Sequence, residues 1–243
     1  HIIDINRLKD LAEIKKVHDG VKFGAMARHG QAKTSEIVLE HCPLIAAGME
    51  YVAHAQIRNR GTIGGSLAHL DPSAEWPALL AVHDATLHVQ SSSGERDVPI
   101  LEWSQGFMAP NLAEDEMLTD ITVATWPEKH VYGFAELARR KGDFALAGAA
   151  VLLDFDGEVI SRAALALMGV EVGPVRMINA ENLLVGEMPS DELFREAAEH
   201  ATAVAGIDDV HASASYRKKV AVVMARRALE QASNQRKSRA LAA

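Results

Sequence analysis

The chain has 243 residues, of which 48% are hydrophobic and only 5% aromatic, and its net charge is −8. This length is enough for one large domain or two modest ones, with a core that must be mainly aliphatic. The negative charge argues against a general nucleic-acid binder, and the longest apolar runs are too short to span a bilayer. We therefore expect a cytoplasmic protein that binds no nucleic acid and has no membrane span.

The first half of the chain is predicted to mix strands and helices. Alternating apolar residues and turn residues predict strands at residues 3–5, 21–25, 85–89 and 116–123, with an edge segment at 97–100. Helices are predicted at residues 34–39, interrupted by Pro43, and at 44–51. A further helix is expected after Asp71, with Asp71 as its cap and Pro72 in its first turn.

The second half is predicted to contain a sheet followed by helices. Strands are expected at residues 145–154 and 160–170, and Asp156-Gly157 is a hairpin signal between them. Helices are expected to begin near residues 182–186 and 190–193, and an Ala-rich helical region to extend to residue 241. Its basic run at residues 217–219 indicates an exposed helix face. Trp126-Pro127 divides the chain into domains at 1–127 and 128–243.

Three glycines stand within five residues in the run from Arg58 to Ser66. Glycine permits positive φ and close approach of a ligand, and successive amides of such a turn suit phosphate oxygens. The run lacks the Lys-Ser or Lys-Thr of a Walker loop and the spacing of a Rossmann fingerprint. A hairpin or bulge that simply requires glycine explains the composition equally well.

Cysteine and histidine usage limits the metal chemistry of the chain. Cys42 is the single cysteine, so this chain can form no internal disulfide and cannot by itself hold a cysteine-ligated iron–sulfur cluster. The apolar neighbours Leu44 and Ile45 indicate a buried thiol. The histidines show no HExxH spacing, and we predict no metal site and no catalytic acid–base group.

Three segments resemble one protein family. Arg58-Asn59, with the run from Gly61 to His69 and Asp71-Pro72, resembles the second flavin loop of the FAD-binding medium subunit of molybdenum hydroxylases, the carbon monoxide and xanthine dehydrogenase type. The segments at residues 1–7 and 139–146 resemble two further parts of that subunit, in the same order. The resemblance implies an α+β fold. A PCMH-type (vanillyl-alcohol-oxidase-like) FAD-binding domain is followed by a carbon monoxide dehydrogenase flavoprotein C-terminal-type domain of antiparallel sheet plus helices.

The resemblance also implies FAD as cofactor and assigns residues to it. Backbone amides in the glycine run would hold the pyrophosphate, from Thr62, Gly64, Gly65 and Ser66. Ile63 would press an apolar side chain on the cofactor, and Glu75, where the family usually has Asp, would approach ribityl or ribose hydroxyls.

Four more residues are assigned on the same basis, each with a structural alternative. Phe144 would cover one face of the isoalloxazine with Asp143 nearby, or would be a core residue at the start of a strand. Leu118 would line the cofactor or belong to the core. Asp71 would contact the cofactor or serve only as a helix cap. A basic residue that often precedes Asp143 in the family is replaced by the run Phe134-Ala135-Glu136-Leu137.

The function implied is electron transfer within a hetero-oligomer, with a dimer of heterotrimers as one arrangement. Molybdopterin would lie on a large subunit and two [2Fe–2S] clusters on a small one, and electrons would reach an external acceptor through FAD here. The alternative is a docking subunit that does not retain FAD, because the sequence begins at His1, after the point where the family's first glycine loop stands. A stand-alone reductase of the same FAD-binding fold is a third reading.

Overall fold

The computed structural model of the protein describes residues 2–242. Its strands are β1 (Ile14–Val17), β2 (Gly20–Gly24), β3 (Thr86–Ser91), β4 (Gly94–Pro99), β5 (Ser104–Gly106), β6 (Ala109–Pro110), β7 (Met117–Ala124), β8 (Val131–Ala138), β9 (Ala145–Asp156), β10 (Val159–Met168) and β11 (Val175–Arg176). Its α-helices are α1 (His29–Thr34), α2 (Glu36–His41), α3 (Pro43–Gly48), α4 (Ala55–Arg58), α5 (Ile63–His69), α6 (Glu75–Val82), α7 (Ile178–Leu184), α8 (Asp191–Glu199) and α9 (Ala214–Ala242).

The first half of the chain forms an antiparallel five-stranded sheet in the order β1-β2-β7-β3-β4. One face is apolar because alternate residues of its strands point the same way, so that Phe23, Leu87 and Ile121 are buried together. The helices on this face add residues to the same core, for example Ile45 from α3 and Leu67 from α5. The sheet thus has one covered face, as the alternating pattern of β7 predicts.

Helix α6 is buried on all sides. All eight of its residues are buried, which is typical of a helix enclosed by protein rather than one lying on a surface. It packs against α3 and α5 of the first half and against β9 and β10 of the second. A Cβ on Gly48 of α3 would lie 2.6 Å from a methyl carbon of Leu79, so these two helices approach very closely.

The second half forms a four-stranded antiparallel sheet in the order β11-β10-β9-β8. Its two faces serve two cores: Ala150 and Leu152 of β9 join the core around α6, whereas Val151 and Leu153 join a core under α7, α8 and α9. This sheet is therefore a middle layer between α6 and the C-terminal helices. Within the described residues, no helix is both long and apolar enough to cross a membrane.

Most predicted elements and the α+β class are confirmed. The Asp156-Gly157 signal does join β9 to β10, with Gly157 at φ +58°. Ser190 caps α8, since its hydroxyl oxygen accepts a hydrogen bond from the Leu193 amide at 3.1 Å. Cys42 is buried, and desolvation raises the pKa of its thiol to about 12.

Other predictions are wrong. Residues 2–5 form no strand and Ile3 is 83% exposed, while His1 lies outside the described residues. Asp71 does not cap α6, which begins four residues later at Glu75; its carboxylate instead accepts a hydrogen bond from the Ser73 amide at 2.8 Å. Strand β8 was not predicted, and α7 ends near Asn182 rather than beginning there.

The basic run at the start of α9 is also not a uniformly exposed face. Arg217 is only 1% exposed. Its guanidinium donates to the carbonyl oxygens of Leu146 at 2.5 Å and Gly169 at 3.0 Å, and it pairs with Asp209 at 2.5 Å. A buried guanidinium needs such partners. Without them its N–H groups would lose their hydrogen bonds to water and gain none in return, which destabilises the fold.

Candidate functional site

The glycine run does not form the predicted turn. Thr62 is the N-cap of α5, and its hydroxyl oxygen accepts a hydrogen bond from the Gly65 amide at 3.0 Å. The Ser66 amide donates to the Thr62 carbonyl at 3.1 Å, as in any first helical turn. None of the three glycines of the run has a positive φ. The segment is thus the first turn of a helix.

Two further amides of the run donate to carbonyls in the segment that follows β2. Ile63 N–H donates to the Ala27 carbonyl at 3.0 Å and Gly64 N–H to the Ala25 carbonyl at 2.8 Å. A Cβ on Gly64 would lie 2.6 Å from the Ala25 Cβ and 2.7 Å from its carbonyl oxygen. Glycine is therefore required at position 64 for packing against the end of β2. The backbone amides of residues 63 to 66 each have an acceptor within the chain.

Gly65 is different because it faces open space. A Cβ there would meet only the hydroxyl oxygen of Thr62, at 2.8 Å. Its open side borders a cleft of about 650 Å³ between the first sheet's helices and the loop before β9. The cleft is lined by Asn6, Met26, Arg28, His29, Val52, Ala53, Ile57, Arg60, Gly61, Thr62, Gly65, Ser66, His69, Ala74, Glu75, Gly142, Asp143 and Phe144.

The cleft brings together six of the residues that sequence assigned to the cofactor: Thr62, Gly65, Ser66, Glu75, Asp143 and Phe144. Four others lie elsewhere. Ile63 and Leu118 are buried in the core cluster. Gly64 is buried against the end of β2, and the Asp71 carboxylate is engaged in its own turn.

Phe144 is not a core residue, although it immediately precedes β9. Its side chain is 54% exposed at the cleft wall. The preceding turn includes Gly142 at φ +87°, a conformation that side-chain-bearing residues rarely adopt, and it directs the loop back toward the cleft. An exposed aromatic ring beside a cleft is a surface on which a planar ligand can stack.

Two carboxyls in this region influence each other: Glu75 is buried and lines the cleft, whereas Glu136 is half-buried and lies outside it. Glu75, the first residue of α6, is 4% exposed, and desolvation raises the pKa of its carboxyl to about 7, with a further contribution from Asp71. Desolvation and then the charge of Glu75 raise the pKa of the Glu136 carboxyl to about 8. The Glu136 Oε2 atom is buried without a hydrogen-bond partner. Both carboxyls therefore hold their protons to a higher pH than a carboxyl in water.

The cleft also contains residues that sequence analysis missed, in the segment after β2. Arg28 donates to the Arg60 carbonyl and, at 2.7 Å, to Asn6 Oδ1, which ties three parts of the rim together. His29, the first residue of α1, lines the same wall. The sequence around Arg28 and His29 matches no motif that would have identified it. Contacts in the folded chain, among them the β-bridge between Arg28 and Thr62, place it beside the glycine run.

A second and larger cavity, of about 1150 Å³, lies across the same loop and shares Gly142 with the cleft. Its walls come from α3, β8 and α9, including Glu136 and Gln231. We place the candidate site at the smaller cleft because the glycine run and Phe144 lie there. Among residues 2–242, no group of three or more His, Cys, Asp or Glu side chains is arranged to hold a metal ion.

Two known domain families match the chain. Residues 1–126 match the FAD binding domain in molybdopterin dehydrogenase, and residues 132–232 match the CO dehydrogenase flavoprotein C-terminal domain. Together these matches cover most of the chain in the order that the resemblance implies.

Characterised relatives agree. The chain is 39% identical to the 6-hydroxypseudooxynicotine dehydrogenase complex subunit alpha of Paenarthrobacter nicotinovorans, covering 95% of this chain and 79% of the relative. It is 37% identical to the nicotine 6-hydroxylase medium subunit of the same organism, covering 95% and 81%. A solved carbon monoxide dehydrogenase from Hydrogenophaga pseudoflava superposes with a TM-score of 0.90 at 33% identity, covering 94% of this chain and 80% of that one.

Proposed function

This chain belongs to the FAD-binding medium subunits of molybdenum-dependent dehydrogenases, and we propose that it carries electrons from iron–sulfur clusters on a partner subunit, through FAD, to an external acceptor. It is an oxidoreductase subunit whose cofactor is FAD. The partners in this proposal are a large molybdopterin subunit and a small [2Fe–2S] subunit. The observation that carries the proposal is the cleft in which Thr62, Gly65, Ser66 and Phe144 converge.

The residues of the cleft fit FAD in their chemistry. The absence of a Cβ at Gly65 allows a phosphate to approach the start of α5, where the Thr62 hydroxyl is the neighbouring side-chain group. Arg28 and Arg60 provide positive charge at the rim, and the hydroxyls of Thr62 and Ser66 can donate to phosphate oxygens. Phe144 offers an aromatic face on the opposite wall.

Each residue then has a defined task. Bound FAD supplies the electron-carrying chemistry, and the protein binds, orients and shields it. Thr62, Ser66 and the two arginines hold the pyrophosphate. The Glu75 carboxyl would form a hydrogen bond with a sugar or ribityl hydroxyl, and Phe144 would cover one face of the isoalloxazine and exclude water from it. Asp143 stands beside Phe144 at the end of the turn. We propose no role in binding for Ile63, Gly64, Asp71 or Leu118 beyond supporting the fold.

We also propose that the two domains divide between residues 127 and 128. The segment between β7 and β8 is the connection from the first sheet to the second. FAD would lie at this division, because the cleft takes its glycine run from the first domain and Phe144 from the second. Binding sites between domains are common for cofactors.

The experiment is a flavin spectrum of the complex. The full subunit, co-expressed with its large and small partner subunits, is expected to show the visible absorption bands of bound flavin, which substrate of the complex bleaches. Phe144→Ala should weaken FAD retention, whereas Phe107→Ala, which removes another exposed ring from the hairpin of β5 and β6, should not. A stable complex without flavin would instead support the docking role.

A further inference from the structure

His29 is held by a specific contact with Trp76. Its ring is only 5% exposed, and the indole Nε1–H of Trp76 donates to its Nδ1 at 2.8 Å. Trp76 is itself buried as the second residue of α6, so its N–H has a fixed direction. The two rings lie 5.9 Å apart at 32°. The imidazole therefore cannot rotate or flip without breaking a buried hydrogen bond.

This contact fixes the position of the imidazole proton. Because the indole is only a donor, Nδ1 must be the unprotonated nitrogen, and a neutral ring then carries its proton on Nε2. Burial, together with the positive charges of Arg58 and Arg28, lowers the pKa of the ring to about 4. At neutral pH His29 is thus an uncharged donor at Nε2.

The Nε2 side of the ring faces the start of the glycine run. A Cβ on Gly61 would lie 2.8 Å from His29 Cδ2 and 2.9 Å from Nε2, so the ring packs directly against that glycine. Both residues line the cleft. No acceptor within residues 2–242 forms a hydrogen bond with Nε2, whereas Nδ1 is occupied by Trp76.

An anion in this part of the cleft can be bound by side-chain donors beside the run as well as by any backbone amide that is not engaged. The amides of residues 63 to 66 already donate within the chain. The Arg28 guanidinium uses two of its five N–H donors on Asn6 and the Arg60 carbonyl, so its contact with an anion would be shared with these partners. The neutral side-chain donors beside the run include the hydroxyls of Thr62 and Ser66 and the Nε2–H of His29.

We propose that His29 binds FAD through a hydrogen bond from Nε2–H to a phosphate oxygen, and that Trp76 is the positioning residue that sets its tautomer. This inference rests on the proposed function, because it needs FAD in the cleft. A neutral donor suits this place, since a buried imidazolium next to two arginines would be disfavoured. It also provides a contact whose strength does not change across the physiological pH range.

The test uses side chains that copy one ring nitrogen at a time. The amide nitrogen of Gln can take the place of Nε2, whereas that of Asn lies nearer Nδ1. In the deflavinated complex titrated with FAD, with binding read from quenching of flavin fluorescence, His29→Asn should weaken affinity about tenfold. His29→Gln should retain most of the affinity. His18→Asn, at an exposed turn, is the matched control.

Trp76→Phe keeps the aromatic ring and removes only the donor. We expect a mixture of His29 tautomers and an FAD affinity a few-fold weaker. Nitrogen-15 NMR of the deflavinated protein reads the tautomer without any cofactor: in the parent protein Nδ1 should be the unprotonated nitrogen, and in Trp76→Phe the two nitrogens should become more alike.

The outcomes separate the two claims. If the parent complex never binds FAD, the proposed function fails. If it binds FAD and His29→Asn binds equally tightly, or if Nε2 proves to be the unprotonated nitrogen, then the role of His29 is overturned and the proposed function stands. The NMR measurement is made on the parent protein, which retains His29. It therefore tests the tautomer even if His29→Asn proves too unstable for FAD titration.

Discussion

At the scale of single residues, neighbouring glycines have opposite roles. Gly64 is pressed against the backbone of Ala25, directly after β2, whereas Gly65 faces the cleft. Sequence patterns cannot distinguish them, because both stand in the same Gly-Gly pair. The structure separates a glycine needed for packing from one that leaves room for a ligand.

Two alanine substitutions test that separation. Gly64→Ala should lower the free energy of unfolding by roughly 1–3 kcal/mol, since the new methyl overlaps the Ala25 carbonyl. Gly65→Ala should cost less stability than Gly64→Ala, because its methyl meets only the Thr62 hydroxyl, and it should weaken FAD binding, because the methyl enters the cleft. Urea denaturation and FAD titration of both variants measure the two effects. Equal losses of stability in both would contradict the assignment.

The pair Glu75 and Glu136 predicts a pH dependence of stability. The pKa of the Glu136 carboxyl is 4.5 ordinarily and about 8 in the folded protein. Between these two pKa values the folded state binds more protons than the unfolded chain. The contribution of this carboxyl to stability is therefore complete below pH 4.5 and is lost as the pH rises toward about 8.

The substitution Glu136→Gln keeps the shape of the side chain and removes the charge. The parent protein, free of FAD, should lose on the order of 1–3 kcal/mol of unfolding free energy between about pH 5 and pH 8, and the variant should lose much less. Glu158→Gln, in the exposed turn between β9 and β10, is the control. The same decline in the Glu136→Gln variant and the parent would show that this carboxyl is not the cause.

At the scale of elements, α9 protects the open edge of β8. Strand β8 is the outer strand of its sheet, and its exposed amides would invite pairing with another chain. The side-chain oxygens of Gln235 and Gln231 accept hydrogen bonds from the amides of Tyr132 at 3.2 Å and Phe134 at 3.0 Å. A Cβ on Gly133 would collide with the Ala228 carbonyl, so glycine allows this close approach.

Replacing both glutamines should show how much their hydrogen bonds to β8 contribute to stability. Gln231→Ala with Gln235→Ala leaves two strand amides without their acceptors, and we expect a loss of roughly 1–3 kcal/mol for each. Asn234→Ala on the same helix should cost little. Chemical denaturation compares the variants, and light scattering reports any association through the uncovered edge. A double variant as stable as the parent would refute this role.

The same elements show how far sequence reasoning reaches. The hairpin at Asp156-Gly157 and the cap at Ser190 were predictable because local chemistry specifies them. Strand β8 was not, because its contact with α9 involves residues about a hundred positions away and its pairing with β9 is set by the folded sheet. For the same reason, the burial of Arg217 and the placement of His29 in the cleft have no local signal.

The candidate site divides in a similar way. The resemblance assigned both the glycine run and Phe144 to the cofactor, and in the structure both line one cleft. It could not show that the amides of residues 63 to 66 are already engaged, because their acceptors lie after β2 and in the helix itself. Which groups are vacant for a ligand is a property of the folded chain.

At the scale of the whole molecule, the two domains share a core. Residues of β9 and β10, among them Leu152 and Met168, pack in the cluster that surrounds α6. A fragment containing only residues 128–243 would therefore expose one apolar sheet face to water. We expect it to aggregate or to bind hydrophobic dyes strongly, as measured by gel filtration and dye fluorescence, whereas the full chain does neither. A monomeric fragment with cooperative unfolding would contradict the shared core.

The burial of α6 on every side also constrains how relatives of this protein can be recombined. By sequence α6 belongs to the first domain, but part of its surface packs against the second sheet. A chimera that exchanges domains at residue 127 would set one parent's helix against the other parent's strands. Hybrids that take residues 75–82 from the same parent as the second domain should fold more often. The segment that must be exchanged together is therefore not the domain that the sequence boundary defines.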